Sequence, residues 1–119
     1  MNVYISGPMR HFPEFNFPAF HAAATRLRAE GHVVFSPAER DNEKHGTDIS
    51  AGNATGDEAL AAEQHGFSLR EAMREDCAWI CDHANAIYLL RGWEHSRGAT
   101  AEFALARALD LEIFYEPSA

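Results

Sequence analysis

The chain has 119 residues, 46% of them hydrophobic and 24% charged, a length and balance that suit one soluble globular domain (residues 1–119) with a single core. Eighteen acidic against ten basic residues leave a formal charge of −8, which opposes a general grip on a nucleic-acid backbone, so no polymer ligand is expected. No run approaches the ~20 apolar residues of a membrane span, and the first residues lack a basic, then apolar, leader pattern, so a cytoplasmic protein is expected.

Asn2 to Gly7, a β-branched and aromatic run ended by Gly-Pro, predicts a buried strand stopped by a turn. The loop that follows leads to Asn16, a residue suited to cap a helix, with Pro18 inside the first turn and Gly31 as the C-terminal stop. His32 to Pro37 predicts a second strand, which makes a right-handed βαβ unit. From Ala38 to Gly66 the chain is rich in Gly, Asn, Asp and Thr and has no period, and a connection of that length reads as a lid, a binding loop or a partly disordered segment.

Ser68, with Glu71 three residues on, forms a capping-box pattern for a helix reaching His83. Cys77 and Cys81 lie four apart on it, a spacing that fits neither a redox pair nor a zinc site, so they read as buried thiols, and no metal is expected. Ala84 to Leu90 predicts the third strand and Leu111 to Glu116 the fourth. Between them, from Gly98 onward, lies a helix on which Leu105, Leu109, Ala101, Ala108 and Ala104 form an apolar arc opposite Arg107 and Asp110. Glu102 falls on the apolar side. A carboxylate there needs a partner or a purpose, because burying an unpaired charge is costly or forces its pKa upward.

Alternating strands and helices predict an α/β protein: a single-domain, flavodoxin-like or Rossmann-like three-layer sandwich with a four- to five-stranded parallel sheet. In such a sheet the site lies outside the carboxyl ends of the strands. Gly7 to Arg10, Pro37 to Glu39 and Arg91 to Arg97 leave those ends, and Glu102 follows within about a turn. A loop with Ser96 and Gly98 just before a helix suits a phosphate, because glycine allows close approach and the helix terminus supplies aligned donors. Ser6 to Arg10, "SGPMR", offers a second such turn. Neither is a Walker loop or a G-x-G-x-x-G turn, so triphosphate hydrolysis and dinucleotide binding drop away. Two carboxyls, Glu102 and Asp76, are what glycosidic cleavage asks for, although taken alone Asp76 within "MREDC" reads first as a solvated helix residue and Tyr4 as core.

"YISGPM", an Asp in the helix before the third strand, and "GWEHSRGATAEFALA" together resemble the nucleoside 2-deoxyribosyltransferase superfamily. "FPEFNFPAF", "SPAE" and "GWEHSRGA" resemble its small phage and bacterial members. The resemblance implies Glu102 as the nucleophile, Asp76 as the accompanying acid and Tyr4 as the residue that orients the nucleophile. It implies a retaining mechanism in which a glycosyl ester on Glu102 is resolved by water or a second base. Members acting on free nucleosides carry an aspartate six residues before the nucleophile, whereas the 5′-monophosphate N-hydrolases place a serine there. This chain has Ser96. Arg10 matches the arginine of the hydrolases' first loop.

The expected function is therefore hydrolysis of a (deoxy)nucleoside 5′-monophosphate, with a deoxyribosyltransferase or a non-catalytic nucleotide sensor as alternatives. The expected substrate-binding set is Ser6, Gly7, Pro8, Met9, Arg10, Asn16, Trp93, Ser96, Arg97, Gly98 and Ala99. Trp93 reads as a stacking platform for a base or as a cap on the crevice. The resemblance implies a homodimer or higher homo-oligomer and no cofactor. Asn16 and Glu39 belong to the pattern of the small members without an assigned role.

Overall fold

Val3 to Ser6 carry no charge to keep either face wet, and all four are buried in the computed structural model, which describes residues 1–10, 12–40 and 69–117. They belong to β1 (Asn2–Ser6), followed by α1 (Phe17–Ala29), β2 (Val33–Phe35), α2 (Leu69–His83), β3 (Ala86–Leu89), α3 (Arg97–Ala108) and β4 (Glu112–Tyr115). Among the described residues the four strands form one parallel sheet in the order β2-β1-β3-β4. β1 and β3 are central and, apart from the half-buried Asn2, buried along their length, while the edge strands expose Val33 and Tyr115. This is a Rossmann-like, flavodoxin-like α/β arrangement.

Strand alternation sorts the core into two layers. Val3 and Ile5 face α1 and pack with Phe17, Phe20 and Leu27, while Tyr4, Ile87 and Leu89 face the other way, against Ile80 of α2 and Ala106 of α3. The chain steps from β1 to β2 in one direction and then returns past β1 to β3 and β4 in the other. Right-handed crossovers therefore place α1 on one face of the sheet and α2 and α3 on the opposite one. Where the direction reverses, between β1 and β3, the strand ends open a crevice.

Three local expectations change. Asn16 precedes α1, but its φ of 60° is left-handed and its side chain makes no capping bond. Capping needs an extended backbone at that position, so that the side-chain oxygen reaches the N–H groups of the first turn. The second strand stops at Phe35, and residues 37–40, expected partly as strand and partly as loop, are helical. Pro37, with fixed φ and no N–H, suits the first position of such a turn, and the Arg40 N–H closes it onto the Ser36 carbonyl at 3.0 Å. Residues 41–66 of the predicted loop and the Ser68 cap lie outside the described residues.

The short helical turn also gives Glu39 a structural part. Arg28 of α1 meets both Glu39 oxygens at 2.6 Å, and the hydrogen bonding from Arg28 holds the Glu39 carboxyl below its ordinary range. Arg40 reaches Glu75 of α2 at 3.2 Å. The exit of β2 is thus tied to the helices on both sides, with Ala38 fully buried between.

Gly7 shows how closely the central strand ends approach. A Cβ at Gly7 would stand 2.7 Å from Leu90 Cβ, with backbone-anchored atoms on both sides of the clash. Gly7→Ala is therefore expected to lower the unfolding free energy by about 1–3 kcal/mol, the usual range for overpacking. Chemical denaturation measures this, and an unchanged midpoint would contradict the close approach.

Candidate active site

Glu102 faces inward from α3, as expected, but the apolar arc that pointed to it is not the face the helix buries. Ala99, Glu102 and Ala106 are the buried line, with Phe103 and Leu105 beside it, whereas Ala101, Ala104, Ala108 and Leu109 are exposed. Alanines give little contrast between inside and outside, and what fixes the rotation is the bulk that Phe103, Leu105 and Ala106 add to the layer over Tyr4, Ile87 and Leu89.

The Glu102 side chain is 5% exposed and both of its oxygens are engaged. Tyr4 donates its hydroxyl to Oε2 at 2.7 Å and Ser6 donates to Oε1 at 2.6 Å. These donors are two residues apart on one face of β1, so strand geometry alone spaces them to grip a carboxylate lowered from above. Burial pushes the Glu102 carboxyl up to about 7, and the bonds from Ser6 and Tyr4 oppose that rise. The Tyr4 phenol is pushed up in turn, by burial first and then by the charges on Glu102 and Asp76. It stays a proton donor at any ordinary pH.

Asp76 is not a solvated helix residue: it is 6% exposed and lines the same cavity as Tyr4 and Glu102. Leu69, Ala72, Met73 and Asp76 recur at the spacing of one helix face, and together they form the α2 side of the cavity. The two cysteines are less buried than expected. Cys81 is exposed and Cys77 partly buried, because Asp76 and Ile80 take the inward line of α2 and Cys81 lies about 100° past Ile80. Burial pushes the Cys77 thiol up to about 11, with the Glu102 and Asp76 charges adding to it. It is a neutral neighbour of the two carboxyls.

The cavity occupies about 630 Å³ at the carboxyl ends of the strands. Of the expected binding residues, Gly7, Pro8, Met9 and Arg10 line it from the end of β1, and Ser96, Arg97, Gly98 and Ala99 from the start of α3. Ser96 caps α3: its Oγ accepts the Ala99 N–H at 3.2 Å, which leaves the hydroxyl proton for a ligand. The N–H groups of Arg97 and Gly98 have no partner within the helix, by the geometry of any helix start.

Ser6, expected to touch a ligand, is wholly buried and holds Glu102 instead. Asn16 is not among the lining residues, and neither is Trp93, which stacks on Phe103 at 4.6 Å and reaches Tyr115 at 6.4 Å on the α3 side of the sheet. The turn that carries Trp93 begins at Gly92, whose φ of 88° is left-handed. Sequence reasoning missed His95, which lines the cavity beside Ser96, and the aromatic side of the cavity formed by Phe12, Phe15, Phe17 and Phe20. The phenylalanines carried a usable signal, since their density between positions 12 and 20 exceeds what one helix face needs.

A Rossmann-like α/β domain with a carboxylate-centred cavity at its sheet's switch point is the class that fold and site define. Residues 1–115 match the family described as a domain of unknown function (DUF4406), and the chain belongs to that family. No curated protein and no solved structure gives a match. Among the described residues no helix is long and apolar enough to cross a membrane, and no group of three or more His, Cys, Asp or Glu is placed to hold a metal ion.

The raised Glu102 carboxyl has a signed effect on stability. The folded state holds that proton more tightly than the unfolded chain, so the contribution is full below the ordinary value of 4.5 and is lost as pH climbs to about 7. Glu102→Gln removes the charge and with it this dependence. Relative to the parent, the variant should gain stability between pH 4 and pH 8 by on the order of 3 kcal/mol. Unfolding free energies of both proteins across that range test it, and parallel curves would contradict a buried, destabilised carboxylate.

Proposed function

We propose that the protein hydrolyses the N-glycosidic bond of a (deoxy)nucleoside 5′-monophosphate, releasing free base and the sugar 5-phosphate. The observation that carries this reading is the Glu102 carboxylate, desolvated at the edge of a cavity and held by two hydroxyls with no cation opposite it among its hydrogen-bond partners. A carboxylate poised in this way is costly unless positive charge arrives, and the anomeric carbon of a departing nucleoside supplies it as the bond to the base breaks.

In the first step a Glu102 oxygen bonds to C1′ while the C1′–N bond breaks and its electron pair passes to the base nitrogen, which takes a proton from Asp76. Water then attacks C1′ while giving a proton back to Asp76, the ester bond breaks, and Glu102 returns as a carboxylate. Tyr4 and Ser6 hold the attacking group at fixed orientation. The 5′-phosphate is assigned to Ser96, the first N–H groups of α3, Arg97 and Arg10, which line the cavity together. Ser96 also supports the choice of a monophosphate over a free nucleoside, because a carboxylate in its place would repel the phosphate.

The nucleophile must be deprotonated while Asp76 keeps its proton, so the limb of the kcat/KM profile that belongs to Glu102 is expected to rise with pH through about 7, the value to which Glu102 is pushed. Free-base release from a panel of ribo- and deoxynucleoside monophosphates reads the activity, and Glu102→Gln should cut it by roughly three or more orders of magnitude. Near-normal release by the folded variant would refute the assignment.

Substrates with a 5′-phosphate should exceed their nucleosides in kcat/KM by at least about tenfold, given charge-assisted hydrogen bonds of ~1.5–3 kcal/mol. Ser96→Asp should reverse much of that preference. If the parent prefers nucleosides, or if the substitution scales both substrates equally, Ser96 does not read the phosphate.

A further inference from the structure

Phe12, Phe15 and Phe17 reach the cavity from a backbone that three consecutive residues hold in the left-handed region. Glu14, Phe15 and Asn16 have φ of 52°, 52° and 60°. None is glycine, and such conformations persist only where the surroundings over-determine them. Here the surroundings are visible: the Phe12 N–H bonds the Met9 carbonyl at 3.1 Å, the Phe15 N–H bonds the Phe12 carbonyl at 3.0 Å, and the Phe15 ring is 4% exposed beside Phe17 at 6.1 Å. The turn places Phe12 and Phe15 beside Phe17 and Phe20 as a wall of rings lining the cavity.

Across from this wall, the first two turns of α2 present Leu69, Ala72 and Met73 on one face, and Asp76 follows at the inner end of the same face. The two lips of the resulting slot are the least buried parts: Phe12 is 38% exposed and Leu69 42% exposed, large apolar side chains at the mouth of a concave site. Apolar walls on two sides, an opening to solvent and two carboxyls at the closed end fit a flat, conjugated ring entered edge-first.

We infer that the slot between the left-handed turn and α2 takes the planar heterocyclic base of the substrate by its two faces, discriminating by shape and stacking rather than by hydrogen bonds to the base edge. This rests on the nucleotide reading above for the identity of the ring. With the phosphate at the start of α3 and C1′ at Glu102, the slot is the part of the cavity with an apolar wall on each side among the described residues. It also brings the ring nitrogens toward Asp76, where the leaving group collects its proton.

The test uses the full-length Glu102→Gln protein, so that ligands are bound without turnover. Three probes are compared by calorimetry: deoxyribose 5-phosphate, thymidine 5′-monophosphate, and the 5′-monophosphate of the difluorotoluene C-nucleoside, a thymine-shaped ring without strong hydrogen-bonding groups. The isostere is expected to bind within about threefold of thymidine monophosphate. Phe12→Ala, at an exposed position that does not threaten folding, should weaken both ring-bearing ligands by at least about fivefold, the low end for loss of a stacked aromatic, and leave deoxyribose 5-phosphate unchanged. Phe15→Leu, which keeps an apolar side chain but removes the aromatic face, should do the same while the protein still unfolds in one cooperative transition.

Loss of the isostere while thymidine monophosphate still binds would show edge recognition and overturn the inference. Equal weakening of deoxyribose 5-phosphate by the phenylalanine variants would overturn it too, because the wall would then act through the fold. Both results leave the nucleotide reading standing. No binding of any of the three would overturn this inference, whereas the nucleotide reading stands or falls on the base-release panel above.

Discussion

The Glu102 carboxylate is gripped by two hydroxyls that stand two residues apart on one face of β1, and the rest of the site is arranged around that grip. Taking a carboxylate out of water costs several kcal/mol, and each hydrogen bond to it from a neutral donor returns about 1.5–3 kcal/mol. Tyr4 and Ser6 therefore offset most of the burial without cancelling it. The remainder shows as a carboxyl pushed up to about 7. No arginine or lysine is among its hydrogen-bond partners, so the group retains an affinity for positive charge that a salt bridge would have consumed.

That arrangement depends on topology as much as on side chains. β1 is central, buried on both faces, and ends where the strand order reverses. Its outward-going residues become cavity lining within one step of the residues that hold Glu102: Ser6 is core and Gly7 is wall. Because α2 and α3 lie on the same face of the sheet, Asp76 and Glu102 approach Tyr4 from two helices at once, and both charges act on its phenol. The α3 start, capped by Ser96, opens onto the same space. α1 contributes from the opposite face through Phe17 and Phe20, so the cavity straddles the carboxyl edge of the sheet.

Much of this was legible in the residues. The uncharged run of β1 required a buried strand, Gly-Pro required its end, and the Ser96 to Gly98 stretch required a helix start. The inward position of Glu102 was legible as well, though through an arc of alanines that proves to be exposed, because alanine barely distinguishes core from surface. Alternation placed Tyr4 and Ser6 on one face, but it could not say what lay opposite, so Ser6 read as a ligand contact. The cap pattern misled at Asn16, where a left-handed turn redirects the chain and only tertiary context selects such a conformation. His95 and the phenylalanine wall went unseen because a lone histidine and a phenylalanine near a helix start both look ordinary until the strand ends bring them together.

The central claim is that Glu102 becomes covalently attached to the sugar. The most direct measurement is mass spectrometry of the protein after incubation with 2′-deoxy-2′-fluoroarabino-nucleoside 5′-monophosphates, in which fluorine beside the anomeric carbon slows hydrolysis of a glycosyl ester. The expected result is a mass increase equal to the fluorinated sugar phosphate, located on the peptide containing Glu102 and absent from Glu102→Gln. Steady release of base with the protein mass unchanged throughout, or an adduct on any other residue, would contradict it.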